Sequence, residues 1–261
     1  MKLTRLVKQM CIISLLVVVG SAVRADFIAV DFGVSVAEVN SGTSNPFGGG
    51  GTMPSGVGST WNNLTVANGT TSDLLYYGSG LGSGIGLTLS GFSGIRAWNQ
   101  GREPDAALNG GLFADPLLTD DGVFSPNTGL STLTLSGLNN GLTYDLVLFG
   151  SRLNTADAQR WTTYTVTAGT PSGGTVYHLQ TGGSSLTDGW NSNTVVNITG
   201  ITPSSGSITF TVQASSLGAG GTVNTFGPLN GMQISVVPEP GTAAFALVGG
   251  LMVLWARRLR S

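Results

Sequence analysis

Short runs in which apolar and polar residues alternate with a period of two constrain this chain most. "STLTLSGL" (Ser131–Leu138), "TYDLVLFGS" (Thr143–Ser151), "TTYTVTAG" (Thr162–Gly169) and "SITFTVQAS" (Ser207–Ser215) each place every second side chain on one face. That is the pattern of a half-buried antiparallel strand. Further strand signals lie at Phe27–Gly33, Asn63–Val66, Gly84–Phe92, Gly94–Trp98, Thr175–Thr181, Thr194–Ile201 and Gly231–Val237. Turn residues separate them, at Asn139–Gly141, Thr170–Gly174 and Thr202–Gly206. Amphipathic helical periodicity is missing from this part of the sequence, and "TADAQR" (Thr155–Arg160) is long enough for one turn only. The segment from Asn40 to Ser59 is rich in Gly, Ser and Pro and reads as a long loop. The expected fold is all-β: a single antiparallel β-sandwich, jelly-roll-like, over residues 26–237.

Charge narrows the partners. Only 9% of the 261 residues are charged, and the distribution is uneven. Lys2, Arg5, Lys8 and Arg24 lie at the start, and Arg257, Arg258 and Arg260 at the end. Between Asp26 and Glu239 there are four arginines, no lysine and all thirteen acids, a formal charge of −9. Such a surface repels a phosphate backbone, so nucleic acid is not expected as a partner.

The two ends read as addresses. Three basic residues precede an apolar stretch from Met10 to Val19, followed by Ser21-Ala22-Val23-Arg24-Ala25. This is the order of a secretory signal peptide, here residues 1–25, with a helical apolar core and cleavage after Ala25. Cys11 opens the apolar stretch instead of following it, which argues against a lipoprotein. Its removal leaves no cysteine for a disulfide or a thiolate zinc site. At the other end, Pro238 and Pro240 bracket Glu239, so no helix starts before Gly241. Thr242 to Ala256 carries no charge. These residues would span about 22 Å as a helix, short for a bilayer core of about 30 Å. Arg257, Arg258 and Arg260 would hold the C-terminus in the cytoplasm and leave the body outside.

This tail, residues 238–261 with Val237 before it, resembles the PEP-CTERM sorting signal of bacterial secreted proteins. The matching parts are Val237-Pro238-Glu239-Pro240-Gly241, the apolar run through Trp255, and the basic end. The resemblance implies recognition by an exosortase-type membrane enzyme, cleavage near the motif and delivery to the cell surface or extracellular polysaccharide. It implies membrane anchoring by the C-terminal helix, transient or permanent. A looser resemblance links "LSGLNNGLTYDLVLFGSR", "WTTYTVTAG", "ITPSSGSITFTV" and "NGMQISVVPEP" to galactose-binding-like and carbohydrate-binding-module jelly rolls. It implies a fold used for sugars and transfers no site residue.

Candidate chemistry is sparse. The lone histidine, His178, sits inside a strand signal, which excludes a multi-histidine metal site. "GSGLGSGIG" (Gly78–Gly86) lacks the Lys-Ser/Thr ending of a phosphate loop and reads as an ordinary loop. Glu103, Asp105, Asp115, Asp120 and Asp121 share the segment Gln100–Gly122. Two facing acids there would serve a glycosidase. Asp115, Asp120 and Asp121 beside Gly122 offer oxygens to calcium. No other cofactor is expected. Sugar binding wants aromatic faces with polar neighbours. Trp98 and Asn99 with Arg102 form the first such cluster, and Trp190-Asn191 the second. Trp61-Asn62-Asn63 and Tyr76-Tyr77 are further candidates, the alternative being that these aromatics cap the sandwich rim.

The expected protein is exported, surface-sorted and non-catalytic, structural or adhesive, and associated with extracellular polysaccharide. A specific carbohydrate-binding module is the second reading, and a glycoside-active enzyme using the 103–121 acids the third.

Overall fold

The computed structural model describes residues 26–33, 48–51, 60–97, 102–114, 118, 121–126, 129–169, 175–215, 217 and 226–237. The signal-peptide and tail expectations, residues 1–25 and 238–261, lie outside them, except that Val237 is included. Among the described residues there are fifteen strands: β1 (Phe27–Asp31), β2 (Gly48–Gly51), β3 (Trp61–Leu64), β4 (Gly69–Thr71), β5 (Gly86–Ser90), β6 (Gly94–Ala97), β7 (Asp121–Pro126), β8 (Ser131–Ser136), β9 (Thr143–Phe149), β10 (Arg160–Ala168), β11 (Val176–Gly182), β12 (Val196–Ile201), β13 (Ile208–Ser215), β14 (Phe226–Leu229) and β15 (Gly231–Val237). A 3-10 turn covers Leu108–Gly111. No helix among the described residues is long and apolar enough to cross a membrane.

Eight strands make the framework. β1, β15, β9 and β12 lie in that order in the first sheet, and β8, β13, β10 and β11 in the second. The chain alternates between sheets: β8 to β9, back to the β10–β11 hairpin, over to β12, back to β13 and home to β15. This is the jelly-roll path, and the all-β sandwich read from the alternation is the fold observed. β3 and β2 extend the first sheet beyond β1, and β5 and β4 extend the second beyond β8. A third sheet runs β14-β7-β6.

One pairing departs from the antiparallel expectation. β3 runs parallel to β1, with Val30 opposite Asn62 and Asp31 opposite Asn63. A parallel partner needs a long crossover, and the stretch between Asp31 and Trp61 supplies one.

Alternation explains the core. β8 buries Ser131, Leu133 and Leu135 and half-exposes the threonines between them. β9 turns Tyr144, Leu146 and Leu148 inward, and β13 does so with Ile208, Phe210 and Val212. Outside the second sheet, Thr70 bonds Thr88 and Thr134 bonds Thr209, hydroxyl to hydroxyl across neighbouring strands. β1 breaks the alternation because it is buried on both faces. Ile28 and Val30 enter the main core, whereas Ala29 joins Trp61, Leu108, Phe113, Leu118 and Phe149 in a second cluster. That cluster seats Leu108, Phe113 and Leu118 on the outer face of the first sheet. Burying each large side chain there contributes about 1.5–3 kcal/mol.

Register defines two ends. Phe27 faces Ser235 and Asp31 faces Gly231. Thr143 faces Val237 and Phe149 faces Gly231. The chain therefore enters β1 and leaves β15 at one end, here called proximal. The exits of β1 and β9, the start of β10 and the β14–β15 corner gather at the other, distal end. The seven residues of β15 separate the ends by roughly 20 Å. Asp26, just before β1, accepts a hydrogen bond from Gly78 N–H through Oδ1.

Candidate functional site

The distal end must satisfy the backbone groups freed where strands stop. Asn230, fully buried between β14 and β15, does much of this. Its Oδ1 accepts from Ser151 N–H at 2.7 Å and its Nδ2 donates to the Asp121 carbonyl. Its own N–H donates to Phe149 O, and its carbonyl accepts from Phe32 N–H. One residue, through its side chain and its backbone, thus ties the exits of β1 and β9 and the start of β7 to the β14–β15 corner.

Next to this corner lies a buried polar pair. Asp31 is 1% exposed and Asn63 2%, and they are neighbours across the β1–β3 ladder. Gly33 leaves a cradle against them, since a Cβ there would sit 3.0 Å from both Asp31 Oδ2 and Asn63 Oδ1. The two side-chain oxygens could face a cation, yet Ca²⁺ takes six to eight. Among the described residues no group of three His, Cys, Asp or Glu side chains could hold a metal.

A cationic cluster occupies another part of the same end. Arg96 projects from β6, Arg152 follows β9 and Arg160 opens β10. Phe124 of β7 and Phe226 of β14 meet edge to face, with ring centroids 4.8 Å apart and planes at 82°. The Arg152 guanidinium lies over Phe226 at 4.7 Å and that of Arg96 over Phe124 at 5.7 Å. Each such contact contributes about 0.5–2 kcal/mol, more as it is desolvated. Arg160 is buried and donates from Nη2 to Asp157 Oδ2 at 2.6 Å. Burial, then the charges of Arg160 and Arg96, lower the Arg152 pKa to about 10, and Asp157 offsets them only partly. Three of the four arginines between Asp26 and Glu239 therefore share one corner of a strongly acidic body.

The residues singled out by sequence fare unevenly. Trp98, Asn99, Asp115 and Asp120 lie outside the described residues, as do Pro238, Glu239, Pro240, Gly241, Arg257, Arg258 and Arg260. Val237 is the last residue of β15. Arg102 is half-buried. Trp190 and Asn191 are buried, at 4% and 2% exposure, rather than open to solvent. Asn191 spends its amide locally: Nδ2 donates to Gly150 O and Thr194 O, and Oδ1 accepts from Thr194 N–H. Trp61 and Asn62 are buried too, and Asn62 bonds Ala29 O, Leu75 O and Leu75 N–H. Tyr77 stacks on Phe27 at 4.6 Å. The Trp-Asn pairs visible here are thus struts of the fold.

Of the acids, Glu103 and Asp105 are exposed, and Asp105 Oδ1 accepts from Ala107 N–H. Asp121 is buried at the start of β7. His178 stands exposed on β11 with Nδ1 3.0 Å from Thr163 Oγ1, which suits a strand residue bonded to its neighbour. The glycine-rich Gly78–Gly86 loop is closed by Asp73, whose Oδ1 accepts from Gly84 N–H. The Asp31–Asn63 pair and the arginine corner were not foreseen. An aspartate inside the apolar "FIAVDF" and the scarcity of cations were the signals available.

No family model matches the chain, and no curated protein matches it. Among solved structures the chain is similar to an arabinose-bound GH51 α-L-arabinofuranosidase, at 12% identity and a TM-score of 0.29. The likeness covers 54% of this chain and 25% of that one. It is too slight to carry an argument.

Proposed function

We propose that this chain is an exported, surface-sorted bacterial jelly roll of structural or adhesive role, associated with extracellular polysaccharide and non-catalytic. The observation that carries the reading is where the fold stops. β15 is paired on both sides, by β1 and β9, and its last ladder residue, Val237, immediately precedes Pro238-Glu239-Pro240. A cut near the motif would therefore leave every strand in place. The same holds at the other terminus, where β1 starts two residues after Ala25. Phe27 and Val237, the strand residues nearest the two proposed addresses, both lie at the proximal end, which supports a body held at a membrane by one face.

Replacing Pro238, Glu239 and Pro240 together by alanine in the host tests this. The expected result is a full-length chain retained in the membrane fraction while the parent is released to the surface or medium. Unchanged release would remove the sorting function from this motif.

A further inference from the structure

We infer that the outer face of the second sheet is a docking surface for a second copy of this chain. The inference goes beyond the sorting reading and does not depend on it.

Composition sets this face apart. The second sheet runs β11-β10-β13-β8-β5-β4, and Arg160 is the one Asp, Glu, Lys or Arg in these six strands. Arg160 is buried, so the outward positions carry none of the four. They stand in register instead as rows rich in threonine. Ser90, Thr132, Thr211, Thr165 and Val176 form the middle row, across five strands. Thr70, Thr88, Thr134 and Thr209 form the row on one side of it, and Gln213, Thr163 and His178 the row on the other. Side chains of the face bond one another: Thr70 to Thr88 at 2.9 Å, Thr134 to Thr209 at 3.1 Å and Thr163 to His178 at 3.0 Å. Groups already paired in this way give up less water when they are covered. Threonine is also stiff at χ1, so ordering it costs little. Two of the five large apolar side chains exposed among the described residues lie on or beside the face: Val176 at 48% and Leu130, just before β8, at 60%.

Charge and shape select the occupant. The body carries a formal −9, so two copies repel over most of their surfaces and least where a face is neutral. The outer face of the first sheet, by contrast, carries Asp145 of β9. A flat crystalline polymer suits the second sheet poorly, because neighbouring strands rotate by about 20–25° and a plane meets few of them at once. A second copy has the same twist, and two such sheets nest face to face at about −30°. A sugar chain wants aromatic faces, and neither of the two threonine-richest rows holds a Phe, Tyr or Trp. Six strands about 4.8 Å apart, crossed by three rows about 6.8 Å apart, cover roughly 500–600 Å² per copy. Two copies would bury about 1,000–1,200 Å², the lower bound for a specific interface, which points to a micromolar dimer rather than a nanomolar one. The dimer is two-fold symmetric, with its axis passing near Thr132 and Thr211 at the middle of the face.

The test is the sedimentation mass of the full-length chain in density-matched detergent, where the micelle adds nothing to the buoyant mass. The parent should sediment as two copies at high micromolar concentration and separate into single copies on dilution. Near a two-fold axis, Thr211→Lys and Thr211→Glu each set a charge against the same charge on the other copy, so each should weaken the dimer at least tenfold. An equimolar mixture of the two variants should restore it, since the charges facing each other are then opposite. Thermal unfolding checks that both variants fold, and Thr132→Lys, beside Thr211 in the same row, carries the same expectation if Thr211→Lys does not. Asn197→Lys, at an exposed position of β12 in the other sheet, should leave the mass as in the parent. A parent that stays single at every concentration, a dimer indifferent to both Thr211 variants, or a mixture that stays single would overturn the interface. A dimer lost in Asn197→Lys and kept in Thr211→Lys would overturn it too, by placing the contact on the first sheet.

Discussion

Asn230→Ala should be among the most damaging single substitutions outside the apolar core. The side chain is fully buried and serves two backbone groups on different elements, Ser151 N–H and the Asp121 carbonyl. Truncation leaves both buried without that partner. An orphaned buried group costs about 1–3 kcal/mol, so two give about 2–6, and partial relaxation brings the expectation to about 3 kcal/mol. For a body of this size that lowers the melting temperature by about 6–12 °C. Urea unfolding followed by tryptophan fluorescence should show the midpoint falling while the slope stays fixed. Asn230→Asp adds a signed check. It keeps an acceptor for Ser151 N–H, but when ionised it turns an oxygen on the Asp121 carbonyl. Burial raises the new carboxyl's pKa above its unfolded value, so this variant is most stable at acid pH and loses stability as pH rises. A cost below about 1 kcal/mol for Asn230→Ala, or an Asn230→Asp variant as stable as the parent at pH 7, would refute the view that this side chain joins the distal elements.

Two further outcomes follow from buried positions. Tyr164 is fully buried, its hydroxyl donates to Pro228 O, and burial pushes its pKa well above the ordinary range. The folded state therefore holds a proton that the unfolded chain releases above about pH 10, and stability must fall as pH rises past that point. Absorbance titration at 295 nm should show this tyrosine ionising only on unfolding, and Tyr164→Phe should cost about 1 kcal/mol by denaturant melts. Gly137 follows β8 with φ +76°, and a Cβ there would lie 2.3 Å from Gly84 O. Gly137→Ala should cost about 2 kcal/mol or more in the same melts, from strain plus the clash.

The long strands were legible because each buries one face only. β8 falls at Ser131–Ser136 and β9 at Thr143–Phe149, where "STLTLSGL" and "TYDLVLFGS" place them. Strands whose side chains answer to tertiary contacts were not. β3 is Trp61–Leu64, two residues earlier than "NLTV" suggests. Asparagine is rare in strands, and here Asn62 is tolerated because its amide bonds Ala29 O and Leu75 O. β14 contains Pro228, which ordinarily argues against a strand, yet it sits at the edge of its sheet where a missing N–H costs little. β7 starts in the last two residues of the acidic segment Gln100–Gly122 and runs on through residues not read as a strand, and β2 lies inside the Gly-rich stretch from Asn40 to Ser59. Between Asp26 and Glu239 the sequence showed four scattered arginines. The convergence of three of them depends on β6 and β9 ending, and β10 starting, near one corner, which no local pattern encodes.

The central claim is that both ends of the chain are addresses removed from a jelly roll that stays whole. Intact mass of the protein recovered from the surface and medium of its native host tests this most directly. A species beginning at Asp26 and ending near Glu239 is the predicted result. A species still ending at Ser261 would contradict it and make the C-terminal segment a permanent anchor.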